Sequence, residues 1–290
     1  MKNLTVQEAL TRATAMLAAA EVETPRLDAR LMLEWTLKCR REDLAREPER
    51  EIGERERIIF EKAVALRALR RPLPYITGEQ YFYGRPFKIN RAVLIPRPET
   101  EMLVSLGLEK LSQAPQPRIA DIGTGSGCIA VSLACERPEA RVWATDLSGD
   151  ALKLARKNVV RYDLTDRLTL LHGDLLAPLP RDTPFDLIVS NPPYIAEHEI
   201  PHLQPEVRDY EPALALSGAP GATGDDGAAL YRRLLQDSLG YLRPNGWILL
   251  EVGQGQADTV IAWAESLGYL DAAAHDDMSG IPRVIQARRS

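Results

Sequence analysis

The apolar positions of this chain follow one period before about residue 70 and another arrangement after residue 99. Between residues 5 and 70, apolar side chains recur at intervals of three and four among many arginines and glutamates, which is typical of amphipathic helices. After residue 99, short apolar runs alternate with helical segments, as in a mainly parallel sheet covered by helices. The runs predicted to be strands are residues 118–121, 141–145, 168–171, 186–190 and 247–252, and residues 269–274 and 283–288 are predicted to add an edge hairpin.

A linker rich in proline, glycine and aromatic residues separates the two patterns. Pro72 and Pro74 interrupt the helical period, and five aromatic residues then alternate with Gly78 and Gly84, which predicts a short β-hairpin. A chain of 290 residues is long enough for one domain of about 200 residues and a second of about 90. We therefore divide the chain into a helical domain at residues 1–72, a hairpin linker at residues 73–98 and an α/β domain at residues 99–290.

The composition is that of a globular protein with an acidic balance. The formal net charge of -5 argues against broad attraction to nucleic acid, so we expect no direct nucleic-acid partner. No apolar run approaches the roughly 18 residues of a membrane helix, and no export signal is visible, so we expect no membrane partner. Three cysteines form neither an even set nor a CxxC pair, which favours a reducing, cytoplasmic location. Pro201 breaks any helix that would align His198 with His202, so we predict no metal site.

A glycine-rich loop, residues 121–127 (DIGTGSG), follows the first predicted strand directly. Its glycines let a ligand approach the backbone at the start of a helix, as in nucleotide-type cofactor sites. Asp146 ends the second strand about 20 residues later, where a carboxylate can accept both ribose hydroxyl hydrogens, and Asp174 follows the third strand within reach of an adenine edge. The third glycine falls one position too early for a dinucleotide fingerprint. The GxGxG spacing after Asp121 instead resembles the first motif of class I methyltransferases.

The tetrapeptide Asn191-Pro192-Pro193-Tyr194 follows a buried strand at its carboxyl end, where α/β sheets bind ligands. Its prolines fix the backbone and remove two donors, which leaves the Asn191 side-chain oxygen and the Pro192 carbonyl as acceptors for the two hydrogens of an NH2 group. Tyr194 can stack on a planar group, and the nitrogen is then aimed at a sulfonium methyl. We assign no general base. These residues alone fit either an adenine amine or a glutamine amide.

Longer motifs narrow this choice, at residues 27–29 (LDA), 75–78 (YITG), 82–84 (FYG), 94–101 (LIPRPETE), 206–208 (EVR), 211–212 (EP), 215–216 (AL) and 226–227 (DG). With them the chain resembles, over nearly its whole length, the HemK/PrmC family of protein-(glutamine-N5) methyltransferases. The family usually has a shorter glycine-rich connection in place of residues 217–225, so this chain departs from the family pattern in that loop.

The resemblance implies a class I, Rossmann-like methyltransferase domain with a mainly parallel seven-stranded sheet, joined by the hairpin to a small helical domain. It implies methyl transfer from S-adenosyl-L-methionine, leaving S-adenosyl-L-homocysteine, to the glutamine of the GGQ motif in class 1 peptide chain release factors, which the helical domain helps to receive. We expect a monomer. The residues predicted to bind the cofactor are Gly123, Thr124, Gly125, Ser126, Gly127, Asp146, Asp174, Leu175 and Asn191. Those predicted to bind the substrate are Asn191, Pro192, Pro193 and Tyr194, of which Asn191, Pro192 and Tyr194 are catalytic.

Two other functions would use some of the same residues. A DNA or RNA adenine-N6 methyltransferase would present the same planar pair of hydrogens, but the acidic charge and the lack of a basic recognition domain count against it. A partner-binding protein without catalysis would not need the glycine loop, Asp146 and Asn191 together. The sequence allows two interpretations of Arg97 and Glu99. They either close the active-site cleft or belong to a helix start with an acidic first turn.

Overall fold

The computed structural model describes residues 4–218 and 227–290, so most of the loop predicted at residues 217–227 lies outside the described residues. Its contacts divide the chain into two compact units. The first, which we call the helical unit, comprises Met1–Gly78 and Gln204–Tyr210. The second, the α/β unit, comprises Glu79–Leu203 and Glu211–Ser290. The functional domains drawn from the sequence at residues 1–72, 73–98 and 99–290 stay a prediction.

Helices occur in both units, and no helix among the described residues is long and apolar enough to cross a membrane. Short 3-10 turns lie at Pro98–Thr100 and Glu197–His202. In chain order the α-helices are α1 Val6–Ala19, α2 Pro25–Leu37, α3 Arg41–Arg46, α4 Glu54–Ala68, α5 Leu73–Thr77, α6 Glu101–Lys110, α7 Cys128–Glu136, α8 Gly149–Arg161, α9 Pro205–Arg208, α10 Ala213–Leu216, α11 Ala229–Ser238 and α12 Ala257–Ser266.

The strands of the α/β unit form one sheet of seven, in the order β5-β4-β3-β6-β7-β9-β8, beside a separate two-stranded hairpin of β1 and β2. Neighbours from β5 to β7 pair in parallel, whereas β9 pairs antiparallel with both β7 and β8. This arrangement confirms the predicted mainly parallel sheet with its edge hairpin. The strands are β1 Glu79–Phe82, β2 Arg85–Lys88, β3 Arg118–Ile122, β4 Arg141–Asp146, β5 Leu168–His172, β6 Phe185–Ser190, β7 Leu242–Glu251, β8 Leu270–Asp276 and β9 Pro282–Arg288.

The start of β7 differs from the prediction, which placed it at residue 247. Pro244-Asn245-Gly246 reads as a turn in the sequence, but here it lies inside a strand of ten residues. Asn245 has a φ of 63°, and the pairing of β6 with β7 shifts register between Phe185 and Leu187. The strand therefore accommodates its turn-forming residues as a bulge, which the sequence pattern does not distinguish from a loop.

The core of the sheet is centred on β6, whose six residues are all buried. Helix α6 packs closely on it because Gly107 has no side chain: a Cβ there would lie 3.0 Å from Leu187 Cδ2. Both faces of β6 are covered, so each of its side chains must be apolar or fully hydrogen-bonded. This explains why the residues from Phe185 to Val189 are apolar apart from Asp186, which is hydrogen-bonded. Asp186 accepts a hydrogen bond from Arg118 N at 2.7 Å and pairs with Arg243 at 2.7 Å.

The helical unit contains a buried ion-pair network that includes the chain segment after the tetrapeptide. Arg67 is 6% exposed and lies 2.6 Å from Asp28 and 2.9 Å from Glu206 of helix α9. Arg70 pairs with the same Glu206 carboxylate at 2.7 Å. Burial opposes ionisation of Glu206, but hydrogen bonds from Arg70 and Arg67 outweigh it and lower the pKa of that carboxyl. Two arginines therefore hold residues 204–210 against helix α4.

Removal of Asp28 tests how much this network stabilises the helical unit. We expect Asp28→Ala to lower the free energy of unfolding by about 3 kcal/mol, because Arg67 stays buried with one carboxylate fewer. The matched control is Glu61→Ala at the exposed Arg57–Glu61 pair, whose side chains are 37% and 52% exposed. There the change should stay within about 0.5 kcal/mol. Urea unfolding followed by circular dichroism measures both values, and equal losses in the two variants would contradict the prediction.

Candidate active site

The carboxyl ends of β3, β4, β6 and β7 lie side by side at one edge of the sheet. The register aligns Ile122 with Thr145 on one side and with Ser190 on the other, and Ser190 with Leu250. The segments that follow these strands therefore leave the sheet at the same level. The segments that follow β3, β4 and β6 line a cavity of about 620 Å³, which lies within the range of about 300–1,000 Å³ for sites that enclose small ligands.

The glycine loop forms one wall of this cavity. Its backbone takes positive φ values of 72°, 55° and 81°, which only glycine adopts without strain, at Gly123, Gly125 and Gly127. Asp121 secures the loop, because its Oδ2 accepts hydrogen bonds from Thr124 Oγ1 at 2.6 Å and from Ala130 N at 3.1 Å. Burial raises the pKa of Asp121 to about 7, which these two hydrogen bonds oppose. Gly123, Thr124, Gly125 and Ser126 line the cavity, whereas Gly127 is not among its lining residues.

Asp146 lies at the end of β4 and lines the cavity beside the glycine loop. Its Oδ2 accepts a hydrogen bond from Gly125 N at 2.8 Å, and its Oδ1 accepts one from Ser148 N at 2.8 Å. Burial raises the pKa of Asp146, and these two backbone donors oppose that rise. Each carboxylate oxygen has a second acceptor site. The side chain is thus fixed in place and keeps the capacity to accept hydroxyl hydrogens.

Asp174 and Leu175 line the cavity on the side of β5. Asp174 Oδ2 lies 2.6 Å from Arg233 Nη2 of helix α11, and both side chains are half-exposed. Leu175 has a φ of 46°, and its carbonyl accepts a hydrogen bond from Thr145 Oγ1 at 2.9 Å. Sequence reasoning missed Arg233, which lies on a helix 59 residues further along the chain. An adenine contact by Asp174 would have to coexist with this ion pair.

The tetrapeptide contributes Asn191 and Pro193 to the cavity, whereas Pro192 and Tyr194 are not among the lining residues. Asn191 Nδ2 donates a hydrogen bond to Thr100 Oγ1 at 3.1 Å. The amide hydrogens of Asn191 therefore face the protein at this point. Its Oδ1 remains an acceptor without a donor among the residues that the structure describes.

Tyr194 packs against two glycines, Gly253 and Gly227, whose missing side chains leave room for it. A Cβ on Gly253 would lie 3.1 Å from Tyr194 Cδ2, and one on Gly227 would lie 2.1 Å from the Tyr194 carbonyl oxygen. Gln256 Nε2 donates to that carbonyl oxygen at 3.3 Å, and Gln256 Oε1 accepts from Tyr231 OH at 3.0 Å. Burial raises the pKa of Tyr194 to about 12, and the nearby charge of Glu251 adds to the rise. The phenol is therefore neutral near pH 7 and its ring is held in place.

Arg97 lines the cavity and is fixed by Glu211, an acid that the sequence motifs place in the loop after the tetrapeptide without giving it a role. Its Nη2 lies 2.5 Å from Glu211 Oε1, and Glu211 Oε2 accepts a hydrogen bond from Ile95 N at 3.2 Å. Burial raises the pKa of Glu211, whereas the Arg97 charge lowers it. Glu99 instead lies in the 3-10 turn that precedes α6. The two residues therefore differ in position: Arg97 lines the cavity, and Glu99 belongs to a helix start.

Comparison with known proteins identifies the family. Residues 8–78 match the PrmC N-terminal domain, and residues 100–206 match the methyltransferase small domain. A release factor glutamine methyltransferase of Moorella thermoacetica is 43% identical, over 99% of this chain and 99% of its own. One of Nitratidesulfovibrio vulgaris is 42% identical, over 99% of this chain and 96% of its own.

A solved structure supports the fold. A methyltransferase from Pyrococcus furiosus matches with a TM-score of 0.51 at 17% identity, over 72% of this chain and 91% of its own. The relatives, at about 40% identity over the full length, confirm the resemblance that the motifs carry, and the protein belongs to the family of release factor glutamine methyltransferases.

Proposed function

We propose that this protein transfers a methyl group from S-adenosyl-L-methionine to the side-chain amide nitrogen, N5, of the glutamine in the GGQ motif of class 1 peptide chain release factors. The observation that carries the proposal is the Asn191 amide, which turns its NH2 group toward Thr100 at the edge of the cavity. Its oxygen is then an acceptor for the NH2 group of a substrate. The names of the curated relatives favour glutamine over an adenine amine as that substrate.

The residues of the cavity fit S-adenosyl-L-methionine. A Cβ on Gly125 would meet no atom within 4 Å, so the loop leaves open space for a ligand against its backbone. We assign the ribose hydroxyls to Asp146, the adenine to Leu175 and Asp174, and the remaining contacts to Asn191 and to the loop residues Gly123, Thr124, Gly125, Ser126 and Gly127. When bound, the cofactor supplies an electrophilic methyl group on a sulfonium sulfur.

The tetrapeptide then orients the substrate amide. Asn191 Oδ1 and the Pro192 carbonyl accept the two hydrogens of the glutamine NH2 group, and Pro193 keeps the backbone between them and Tyr194 rigid. The Tyr194 ring stacks on the planar amide and fixes its face. The lone pair of an amide nitrogen is delocalised, so alignment with the methyl group supplies most of the rate. The neutral Tyr194 phenol takes no proton, and the proton lost from the methylated nitrogen is acidic enough to leave without a base.

We assign docking of the release factor to the helical domain at residues 1–72. Its surface exposes apolar side chains that a protein partner would cover. Leu27 and Trp35 are 42% and 40% exposed on α2, and Ile58 is 55% exposed on α4. The acidic net charge of the chain also suits a protein substrate better than nucleic acid. We further assign a monomeric state and a cytoplasmic location.

The function is tested by methyl transfer from labelled S-adenosyl-L-methionine to three substrates in parallel. We expect label in a class 1 release factor, at the GGQ glutamine by peptide mass spectrometry, and none in duplex DNA or RNA. A release factor in which that glutamine is replaced by glutamate serves as the matched control and should remain unlabelled. Label on adenine, or on another residue of the release factor, would refute the proposal.

Asn191→Ala tests the assigned acceptor. We expect turnover to fall by roughly 10²-fold or more, because the substrate nitrogen is no longer held in line. Cofactor affinity should stay nearly intact, because Asp146, Leu175 and the glycine loop are assigned most of the cofactor contacts. Steady-state kinetics give the first value and calorimetric titration with S-adenosyl-L-methionine the second. A variant with near-normal turnover would remove Asn191 from the mechanism.

Gly253→Ala tests the support under Tyr194. The new Cβ would lie 3.1 Å from Tyr194 Cδ2 and 2.6 Å from Gln256 Oε1, so both side chains must move. We expect kcat to fall about tenfold or more, since small displacements in a site that acts by positioning are costly. Gly240→Ala is the control, because its Cβ meets its nearest atom, Asp237 O, at an ordinary 3.5 Å. Equal kcat values in the two variants would show that the position of Tyr194 does not limit turnover.

A further inference from the structure

Glu251 is a buried acid next to the tetrapeptide that none of the steps above uses. It ends β7, and because Leu250 pairs with Ser190 in the parallel ladder, Glu251 lies at the level of Asn191. Glu251 is buried, with only 3% of its surface exposed. The carboxyl oxygen Oε2 is buried and has no hydrogen-bond partner among the described residues. A partly unsatisfied carboxyl inside a protein is costly, so its presence beside the site calls for a functional reason.

Thr100 connects this acid to the tetrapeptide. Thr100 is 3% exposed and accepts the hydrogen bond from Asn191 Nδ2 at 3.1 Å. A hydroxyl that accepts one hydrogen bond still has its own hydrogen to donate. Thr100 and Asn191 both lower the pKa of the Glu251 carboxyl against the effect of burial, so the carboxyl lies next to the Thr100 hydroxyl. The three side chains are therefore neighbours, joined by the Asn191–Thr100 hydrogen bond on the cavity side and with the Glu251 carboxyl behind it.

We propose that Glu251 and Thr100 are positioning residues that set which way the Asn191 amide faces, an inference that rests on the proposed function. The Glu251 carboxylate accepts the Thr100 hydroxyl hydrogen and so turns the Thr100 lone pairs toward Asn191. Asn191 Nδ2 donates to them, and Asn191 Oδ1 is left facing the substrate.

The direction of the hydrogen bond between Asn191 and Thr100 decides whether the site accepts or repels its substrate. The oxygen and nitrogen of an asparagine amide are nearly equal in size, so packing alone does not choose between the two orientations. A flipped Asn191 would present NH2 to the NH2 group of the substrate, and two donors would face each other. An ionised carboxylate only accepts hydrogen bonds, and its bonds are stronger than neutral ones. It therefore polarises the Thr100 hydroxyl in a single direction.

This orientation should depend on the ionisation of Glu251. Burial raises the pKa of Glu251 to about 7; hydrogen bonding from Thr100 and Asn191 and the charge of Arg283 on β9 oppose the rise, and Glu99 adds to it. The other titratable groups that face it have raised pKa values: about 12 for Tyr194 and Cys128, and well above 10 for Tyr231. Below the pKa, a protonated Glu251 can donate to Thr100 Oγ1 and compete with Asn191. The productive orientation is therefore favoured above pH 7 and lost as the pH falls.

The experiment compares Glu251→Gln, Thr100→Val and Thr100→Ser in the full chain, with a class 1 release factor as substrate. We expect Glu251→Gln and Thr100→Val to lower kcat about tenfold, while the Kd for S-adenosyl-L-methionine changes by less than about twofold. Glu251→Gln replaces a carboxylate that only accepts hydrogen bonds by an amide that can also donate, and Thr100→Val removes the hydroxyl. Thr100→Ser keeps the hydroxyl and should retain kcat within about twofold. Asp186→Asn is the control for loss of a buried carboxylate, because Asp186 lies at the opposite end of β6, and its kcat should stay near that of the unmodified protein.

The pH profile separates positioning from a merely structural role. We expect kcat of the unmodified protein to rise between roughly pH 6 and 8, with an apparent pKa near 7, and this rise to be clearly smaller in Glu251→Gln. Asp121, whose pKa burial also raises to about 7, accounts for any rise that remains in that variant. The Asp186→Asn profile should match that of the unmodified protein.

The outcomes distinguish this inference from the proposed function. If the unmodified protein leaves the GGQ glutamine unlabelled, the proposed function fails whatever the variants do. If it methylates that glutamine but Glu251→Gln and Thr100→Val both keep kcat, the positioning role is overturned. Thermal unfolding shows whether each variant is folded. If Glu251→Gln is not folded, the kcat values of Thr100→Val and Thr100→Ser are compared, and equal values overturn the positioning role. A loss of cofactor affinity as large as the loss of kcat would also overturn it.

Discussion

The parallel pairing of β6 between β3 and β7 is the constraint on which the rest of this structure depends. The ladder aligns Ile122 with Ser190 and Ser190 with Leu250, and Ser190 Oγ also donates to the Ile122 carbonyl at 2.7 Å. The glycine loop, the tetrapeptide and Glu251 therefore leave their strands at one level. A slip of one residue would turn every side chain of a strand to the opposite face and separate these groups. Because β6 is buried throughout, its apolar packing holds the register against such a slip.

The same edge of the sheet collects the polar groups that are most expensive to bury. Asp121 and Glu251 both have pKa values raised to about 7 by burial, and the pKa of Asp146 is raised for the same reason. Asp121 accepts hydrogen bonds from a hydroxyl and a backbone N–H, Asp146 accepts them from two backbone N–H groups, and Thr100 and Asn191 lie next to Glu251. Groups that cost stability are tolerated at functional sites when the surrounding structure fixes them. Here the apolar core of the sheet provides that support.

The sequence predicts the parts of this structure whose signal is local. Buried strands appear as apolar runs, and the glycine loop and tetrapeptide are contiguous motifs, so the mainly parallel sheet of seven follows from them and from the family resemblance. The predicted start of β7 was wrong because Asn245 lies in a bulge, and the sequence around it is that of a turn. Thr100 and Asn191 are 91 residues apart, and Asp174 and Arg233 are 59 apart. Such partners depend on the register of distant strands and helices, which no local pattern encodes. The roles of the predicted site residues stay predictions.

The proposed mechanism, in which the site acts by positioning, accounts for the many contacts that fix the structure around the tetrapeptide. Methyl transfer to an amide needs no resident base, so there is little for acid and base groups to add, and the rate depends on where the nitrogen points. Tyr194 is accordingly held by a hydrogen bond to its backbone from Gln256 and by the absence of a Cβ at Gly253. Asn191 is held by Thr100. In an enzyme that acts in this way, residues that never touch the substrate should matter almost as much as those that do, because an error of a few tenths of an ångström behind the site is passed on to the reacting atom.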